Sequence, residues 1–173
     1  RKPEQVAIID DAGQMTWGEV LDEVNRLSAA LKANGIGAGD PVAVLCRNHR
    51  HMVIAMVAIM QIGGRMLLLN TMASGAQLVE LTKREGAKMV LLDQEFLAIA
   101  TDLDRENLVI AWADDDTHGL RTLSDLTKGQ PTDDHPKPAK SGSIVIFTSG
   151  TTGLPKGARR KEPENLDPLL TFF

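Results

Sequence analysis

The sequence predicts an α/β fold: three layers, with a mostly parallel sheet flanked by helices. Runs such as Val42-Ala43-Val44-Leu45-Cys46 and Met66-Leu67-Leu68-Leu69 are apolar at every position, as in strands covered on both faces. Between the runs lie longer segments whose apolar residues recur at three- and four-residue intervals, the period of a helix face. The connections are short and polar, so strand and helix alternate as right-handed crossover units require.

In chain order, Val6 to Asp10 is a short apolar run that reads as a strand, and Asp11-Ala12-Gly13 supplies turn chemistry after it. Thr16 and Glu19 stand at capping-box spacing, and Val20, Val24, Leu27 and Leu31 follow at helical intervals up to Gly35, predicting a helix from about Trp17 to Asn34. After the glycine-rich turn 35–41 comes the strand Val42 to Cys46, then a helix from about Arg50 to Ile62 that stops at Gly63-Gly64, and a third strand at Met66 to Leu69. Ser74 and Gln77 repeat the capping-box spacing and open a helix that ends near Gly86. Strands at Lys88 to Leu92 and Leu108 to Trp112 complete the alternation. Residues 128–142 carry Pro131, Pro136 and Pro138 among polar residues and read as an irregular connector. It separates an α/β body, 1–127, from a last section, 143–173, which begins with a strand at Ser143 to Phe147.

Composition excludes several classes. With 173 residues, 43% hydrophobic and 24% charged, the chain has the make-up of a folded globular protein and not of a disordered one. A net charge of −4 and 3% aromatic residues with no Tyr leave no electrostatic footprint for nucleic acid. The longest apolar run, Met52 to Met60, falls far short of the about 20 residues that span a bilayer. The single cysteine, Cys46, forms no internal disulfide and favours a reducing, cytoplasmic setting, peripheral to a membrane at most. The ends at Arg1 and Phe173 show no signal-peptide pattern and read as cuts within a longer polypeptide. Apolar surface bared by such a cut is expected to favour self-association.

The segment with the most distinctive chemistry is Thr148-Ser149-Gly150-Thr151-Thr152-Gly153-Leu154-Pro155-Lys156-Gly157, directly after an apolar strand. Glycines allow close backbone approach to a ligand, successive N–H groups form an anion-binding nest, hydroxyls add donors, and lysine adds a mobile positive charge. Together they suit a polyphosphate. The pattern is not a Walker A loop, and no good helix follows it. Composition alone leaves a hairpin turn open as the alternative.

Phe147 to Gly157 closely resembles the phosphate-binding signature of the adenylate-forming superfamily, which includes acyl-CoA synthetases, peptide-synthetase adenylation domains and luciferases. Met15 to Val20 and Met60 to Asn70 resemble upstream family segments in the right order. The resemblance implies the N-terminal part of that family's large domain. It implies an ATP-dependent enzyme that converts a carboxylate, here a fatty acid, into an acyl-adenylate and passes the acyl group to coenzyme A, with Mg2+ accompanying the ATP. It assigns Thr148, Ser149, Gly150, Thr151, Thr152 and Gly153 to the β- and γ-phosphates, Lys156 to their neutralisation, and Thr148 also to the metal. An amino- or aryl-acid adenylating enzyme is the alternative, and a non-catalytic nucleotide-binding or interaction module is a second. The family's adenine, ribose, magnesium-glutamate and catalytic-lysine segments are absent from these residues, so the chain alone is expected to be inactive and no catalytic residue is assigned. Where many members carry a Ser-His pair this sequence reads Ala158-Arg159-Arg160-Lys161. That continuation, with Asn70-Thr71 after the third strand, resembles bacterial fatty-acyl-CoA ligases.

Other residues take bland readings. Met52, Met56 and Met60 share a helical face and read as core packing rather than the lining of an acyl tunnel. Cys46 reads as a small buried strand residue. His49 and His51 read as solvated polar residues at a helix entry, Asp114-Asp115-Asp116 with His118 as an acidic surface turn, and Asp10-Asp11, Asp133-Asp134 and His135 as solvated.

Overall fold

The computed structural model describes residues 2–136, 138–148 and 156–159. Its centre is a seven-stranded sheet in the order β7-β6-β5-β3-β4-β8-β9, comprising β3 (Pro41–Leu45), β4 (Arg65–Leu68), β5 (Met89–Asp93), β6 (Leu108–Trp112), β7 (Arg121–Thr122), β8 (Ser143–Thr148) and β9 (Lys156–Arg159). All neighbours pair in parallel except β8 and β9. The helices are α1 (Trp17–Ala33), α2 (Arg50–Gln61), α3 (Gly75–Glu85) and the short α4 (Leu123–Thr127), with 3-10 turns at Gln94–Ile99 and Arg105–Asn107.

Sequence period decides the layering. Along β3, Val42 and Val44 join the core under α1, α2 and α4, whereas Ala43 and Leu45 join the core under α3. All five residues of β3 are buried, which is why its run is apolar throughout. The chain steps from β3 over α2 to β4 on one side, then back over α3 to β5 on the other, so the two crossovers lie on opposite faces.

Local signals set the helix ends. Thr16 accepts from the Glu19 N–H while the Glu19 carboxylate accepts from the Thr16 N–H at 2.7 Å, and Ser74 and Gln77 repeat the exchange. The helix stop at Gly86 is a left-handed cap, φ 69°, a conformation that costs glycine no Cβ clash.

The structure adds elements the pattern does not announce. Residues 11–13 are not simply a turn toward a helix: they reverse the chain into β2 (Gly13–Thr16), which pairs antiparallel with β1 (Val6–Asp10). Only Met15 of β2 is buried, so the strand carries too few apolar residues to register as one. Likewise β7 and α4 are short, and their announcing signal is a local capping box between Thr122 and Asp125. Residues 128–136 and 138–142 form no helix or strand. Then β8 enters the sheet beside β4, pairing Arg65 with Ser143.

Candidate functional site

Parallel strands deliver their carboxyl ends to one edge. Beyond β3 the chain leaves for the α2 face, and beyond β5 it leaves for the α3 face, where Phe96 packs. Two neighbouring strands whose exits diverge leave a crevice between them, the recurrent ligand position of open α/β sheets. Here it is a cavity of about 660 Å³, lined among others by Asp10, Arg47, His49, Asp93, Gln94 and Trp112.

Asp93, 3% exposed at the end of β5, organises the crevice. Its carboxylate accepts from the Arg47 backbone N–H at 2.6 Å and from His49 Nε2 at 2.9 Å. His49 is the N-cap of α2, where Nδ1 accepts from the Met52 N–H at 3.4 Å. With Nδ1 an acceptor, the ring proton sits on Nε2 and is donated to Asp93. The ring lies 4.9 Å from that of Trp112, tilted by 34°. Arg47 makes a two-pronged pair with Glu95, Nε to Oε1 at 2.9 Å and Nη2 to Oε2 at 2.7 Å, and its guanidinium stands 5.0 Å over the Phe96 ring. Below the rim, Arg50 grips Asp10 through Nε at 2.9 and 3.0 Å and through its backbone N–H at 2.9 Å, tying the β1–β2 hairpin to α2.

Both histidines therefore depart from the solvated reading. His49 has a side chain only 9% exposed, and His51 donates Nδ1–H to the Ala111 carbonyl while burial pushes its pKa down. Asp10 also departs from it: its hydrogen bonds with Arg50 hold its carboxyl well below the ordinary range. His135 is half-buried, its Nε2 bonded to the Asn25 carbonyl at 2.9 Å, while Asp11, Asp133 and Asp134 are exposed. These partners lie tens of residues away in sequence, so no local pattern marks them. Asp114, Asp115, Asp116 and His118 do form an exposed acidic turn, held by the Gln94 side chain. Met60 is buried, and Met52 and Met56 pack against the core under α1 and α2.

Cys46 Sγ, His49 and Asp93 offer three ligand-type atoms within 4.8 Å of one another. The trio fits a metal poorly. A ligating Nε2 must give up its proton and place one on Nδ1, where the helix cap already points an N–H. Burial, reinforced by the Asp93 charge, pushes the Cys46 thiol well above its ordinary pKa, so it stays protonated. The cluster is a hydrogen-bonded chain that pins the exits of β3 and β5 together.

The proposed phosphate segment lies largely outside the described residues: Ser149, Gly150, Thr151, Thr152 and Gly153 fall there. Thr148 ends β8 and Lys156 opens β9, paired across the antiparallel ladder. The segment thus starts from the same carboxyl edge as the crevice, beyond β4 on the far side of β3. The donors present in sequence, hydroxyls, glycine N–H groups and one ammonium, fit a magnesium-bound polyphosphate in kind. The crevice itself does not suit one: Asp11, Asp114 and Asp115 rim it beside Asp93, and its Arg47 is already paired with Glu95, leaving a field that repels polyanions.

The sequence model of the family described as AMP-binding enzyme matches residues 1–165. A medium/long-chain-fatty-acid–CoA/3-oxocholest-4-en-26-oate–CoA ligase of Mycolicibacterium smegmatis is 30% identical over 165 residues, covering 90% of this chain and 30% of that protein. A 3-hydroxybenzoate–CoA ligase of Aromatoleum sp. (strain CIB) is 30% identical over 159 residues, covering 88% of this chain and 30% of that protein. This chain therefore spans about 30% of the length of the curated relatives it matches. Among solved structures, the anthranilate CoA ligase AuaEII in complex with anthranoyl-AMP superposes with a TM-score of 0.81 at 24% identity, over 93% of this chain and 32% of that one. This likeness shows the same parallel sheet with flanking helices. No helix among the described residues is long and apolar enough to cross a membrane.

Proposed function

Because the chain belongs to the AMP-binding enzyme family, we propose that the protein containing it is an ATP-dependent acyl-CoA synthetase. It activates a carboxylic acid as the acyl-adenylate with release of pyrophosphate, then transfers the acyl group to the thiol of coenzyme A. The observation that carries this reading is the 148–157 segment, which leaves the carboxyl edge of the sheet at β8. Within it, the hydroxyls and N–H groups of Thr148 to Gly153 hold the β- and γ-phosphates, and Lys156 offsets their charge as pyrophosphate departs. The Thr148 hydroxyl would be one contact for an accompanying Mg2+, which would supply further neutralisation of the phosphates. Holding the leaving group in line exposes the α-phosphate to the attacking carboxylate.

A fatty acid is the substrate class, supported by the similarity to a ligase named for medium and long fatty acids. An aryl acid is the second reading, favoured by equal identity to the 3-hydroxybenzoate ligase. ATP–pyrophosphate exchange on the full-length protein, with a panel of fatty and aryl acids, separates them. Exchange driven by fatty acids alone establishes the first reading, by aryl acids alone the second, and none with any acid overturns both. Lys156→Ala is expected to slow exchange on the order of 100-fold if Lys156 stabilises developing charge.

A further inference from the structure

One buried polar hub is unused by the chemistry above. Asn25 sits within α1 at 1% exposure. Its Nδ2 donates to the Thr132 carbonyl at 2.8 Å and to Asp134 Oδ1 at 3.4 Å, and its Oδ1 accepts from Gln61 Nε2 at 2.9 Å. Its backbone carbonyl accepts from His135 Nε2 at 2.9 Å, and Lys32 Nζ stands 3.3 Å from His135 Nδ1. Ser28 completes the set, its hydroxyl 3.1 Å from Gln61 Oε1. A side-chain amide with both hydrogens and its oxygen engaged is a specific, high-stakes choice in a core.

Three of these partners, Thr132, Asp134 and His135, belong to the irregular stretch that leads into β8. That stretch meets the body a second time, now at α2, through Gly142: a Cβ there would lie 2.5 Å from Met60 Cα and 2.7 Å from the Gly64 carbonyl oxygen. One residue on, the Ser143 N–H donates to Gly64 at 3.1 Å, and β8 begins. The connector is thus clamped twice, by Asn25 near its start and by the Gly142 contact at its end.

The geometry points to Asn25 as a positioning residue, which acts through this clamp to fix the placement of β8 and hence of the phosphate-binding segment that follows. The inference rests on the function proposed above. The Gly64 N–H donates to the Ile59 carbonyl and the Arg65 N–H to the Asp40 carbonyl, each at 2.8 Å, so the clamp refers the end of the connector to α2 and β4. Irregular backbone without such ties would hold β8 only by its ladder.

The test uses the full-length protein with Asn25→Ala, His135→Ala, His135→Gln and Gly142→Ala. Amide hydrogen exchange of β8 is measured without nucleotide, and KM for ATP and for the acid in pyrophosphate exchange. Asn25→Ala, His135→Ala and Gly142→Ala are expected to speed exchange in β8 while leaving β3 and β4 protected. They should raise KM for ATP roughly five- to ten-fold, the scale of losing one or two hydrogen bonds, with KM for the acid unchanged. His135→Gln keeps a donor and should restore KM for ATP. Should Asn25→Ala not fold, His135→Ala cuts the same tie from its half-buried end. A merely structural role would lower melting temperature and active fraction with KM for ATP unmoved, and that result overturns the inference, as does unchanged β8 exchange. If wild type shows no pyrophosphate exchange with any acid, the proposed function falls, and β8 amide protection alone then decides for or against the clamp.

Discussion

Asp10→Asn isolates the tie between the hairpin and α2. The wild-type carboxylate accepts from the Arg50 backbone N–H at 2.9 Å, from Arg50 Nε at 2.9 and 3.0 Å, and from the Ala12 N–H at 3.1 Å. Asparagine keeps one oxygen but removes the charge and the second acceptor, leaving a guanidinium 15% exposed beside a neutral partner that was 8% exposed. A hydrogen bond to a charged group is worth about 1.5–3 kcal/mol and a surface pair 1 or less. Discounted for the guanidinium's remaining contact with solvent, the substitution should cost about 2 kcal/mol. For a chain of this size that is a fall in Tm of about 4–8 °C. Because Arg50 holds the Asp10 carboxyl below its ordinary range, the native state binds this proton less readily than the unfolded chain. The pair's contribution is therefore full above the unfolded value near 3.9 and is lost as pH falls through the lower native value. Thermal unfolding of both proteins by circular dichroism, from pH 7 downward, should show a gap that persists at pH 4 and closes only in stronger acid. A gap under about 0.5 kcal/mol at pH 7, the scatter of an ordinary surface change, or one that closes by pH 5, would refute the reasoning.

His51 and Cys46 allow two further tests. Burial lowers the His51 pKa, so stability is full above the unfolded value near 6.5 and declines as pH falls toward the native value. His51→Asn, which keeps a donor for the Ala111 carbonyl, should flatten the decline between pH 7 and pH 5 expected of wild type in denaturant titrations; parallel curves would contradict this. Cys46 is buried with its thiol pushed up. An aromatic disulfide reagent at pH 8 should label it on the order of 100-fold more slowly in the native chain than in denaturant, and equal rates would show the β3 exit to be open.

The scaffold was legible where its causes are local. The capping boxes at Thr16 and Ser74 are signals four residues long, and the helices begin where those signals say. Strands β3 and β5 read as apolar runs because both faces are covered. The crevice was not legible for the opposite reason. What makes His49 a buried cap and not a wet surface residue is Asp93, brought alongside when β5 docks next to β3; what makes Asp10 an anchor is Arg50. The 148–157 segment is a third case: its glycines, hydroxyls and lysine point to phosphate chemistry by residue type alone, without any partner. Asn25 lay within a helix correctly expected, yet a lone Asn on an apolar face carries no mark of the connector it holds.

The position of β8 bears on how the chain emerges from the ribosome. Synthesis releases β3, β4 and β5 with their helices long before Ser143, and the inner strands can associate as a unit. Until β8 arrives, the outer edge of β4 offers the unpaired amides and carbonyls of Arg65 to Leu68 to any passing strand. An edge left open in this way is a route to unwanted strand pairing during synthesis. The strand that relieves that hazard is the one that leads into residues 148–157, the segment proposed to hold phosphate, so closure of the sheet and arrival of that segment come with the same stretch of messenger.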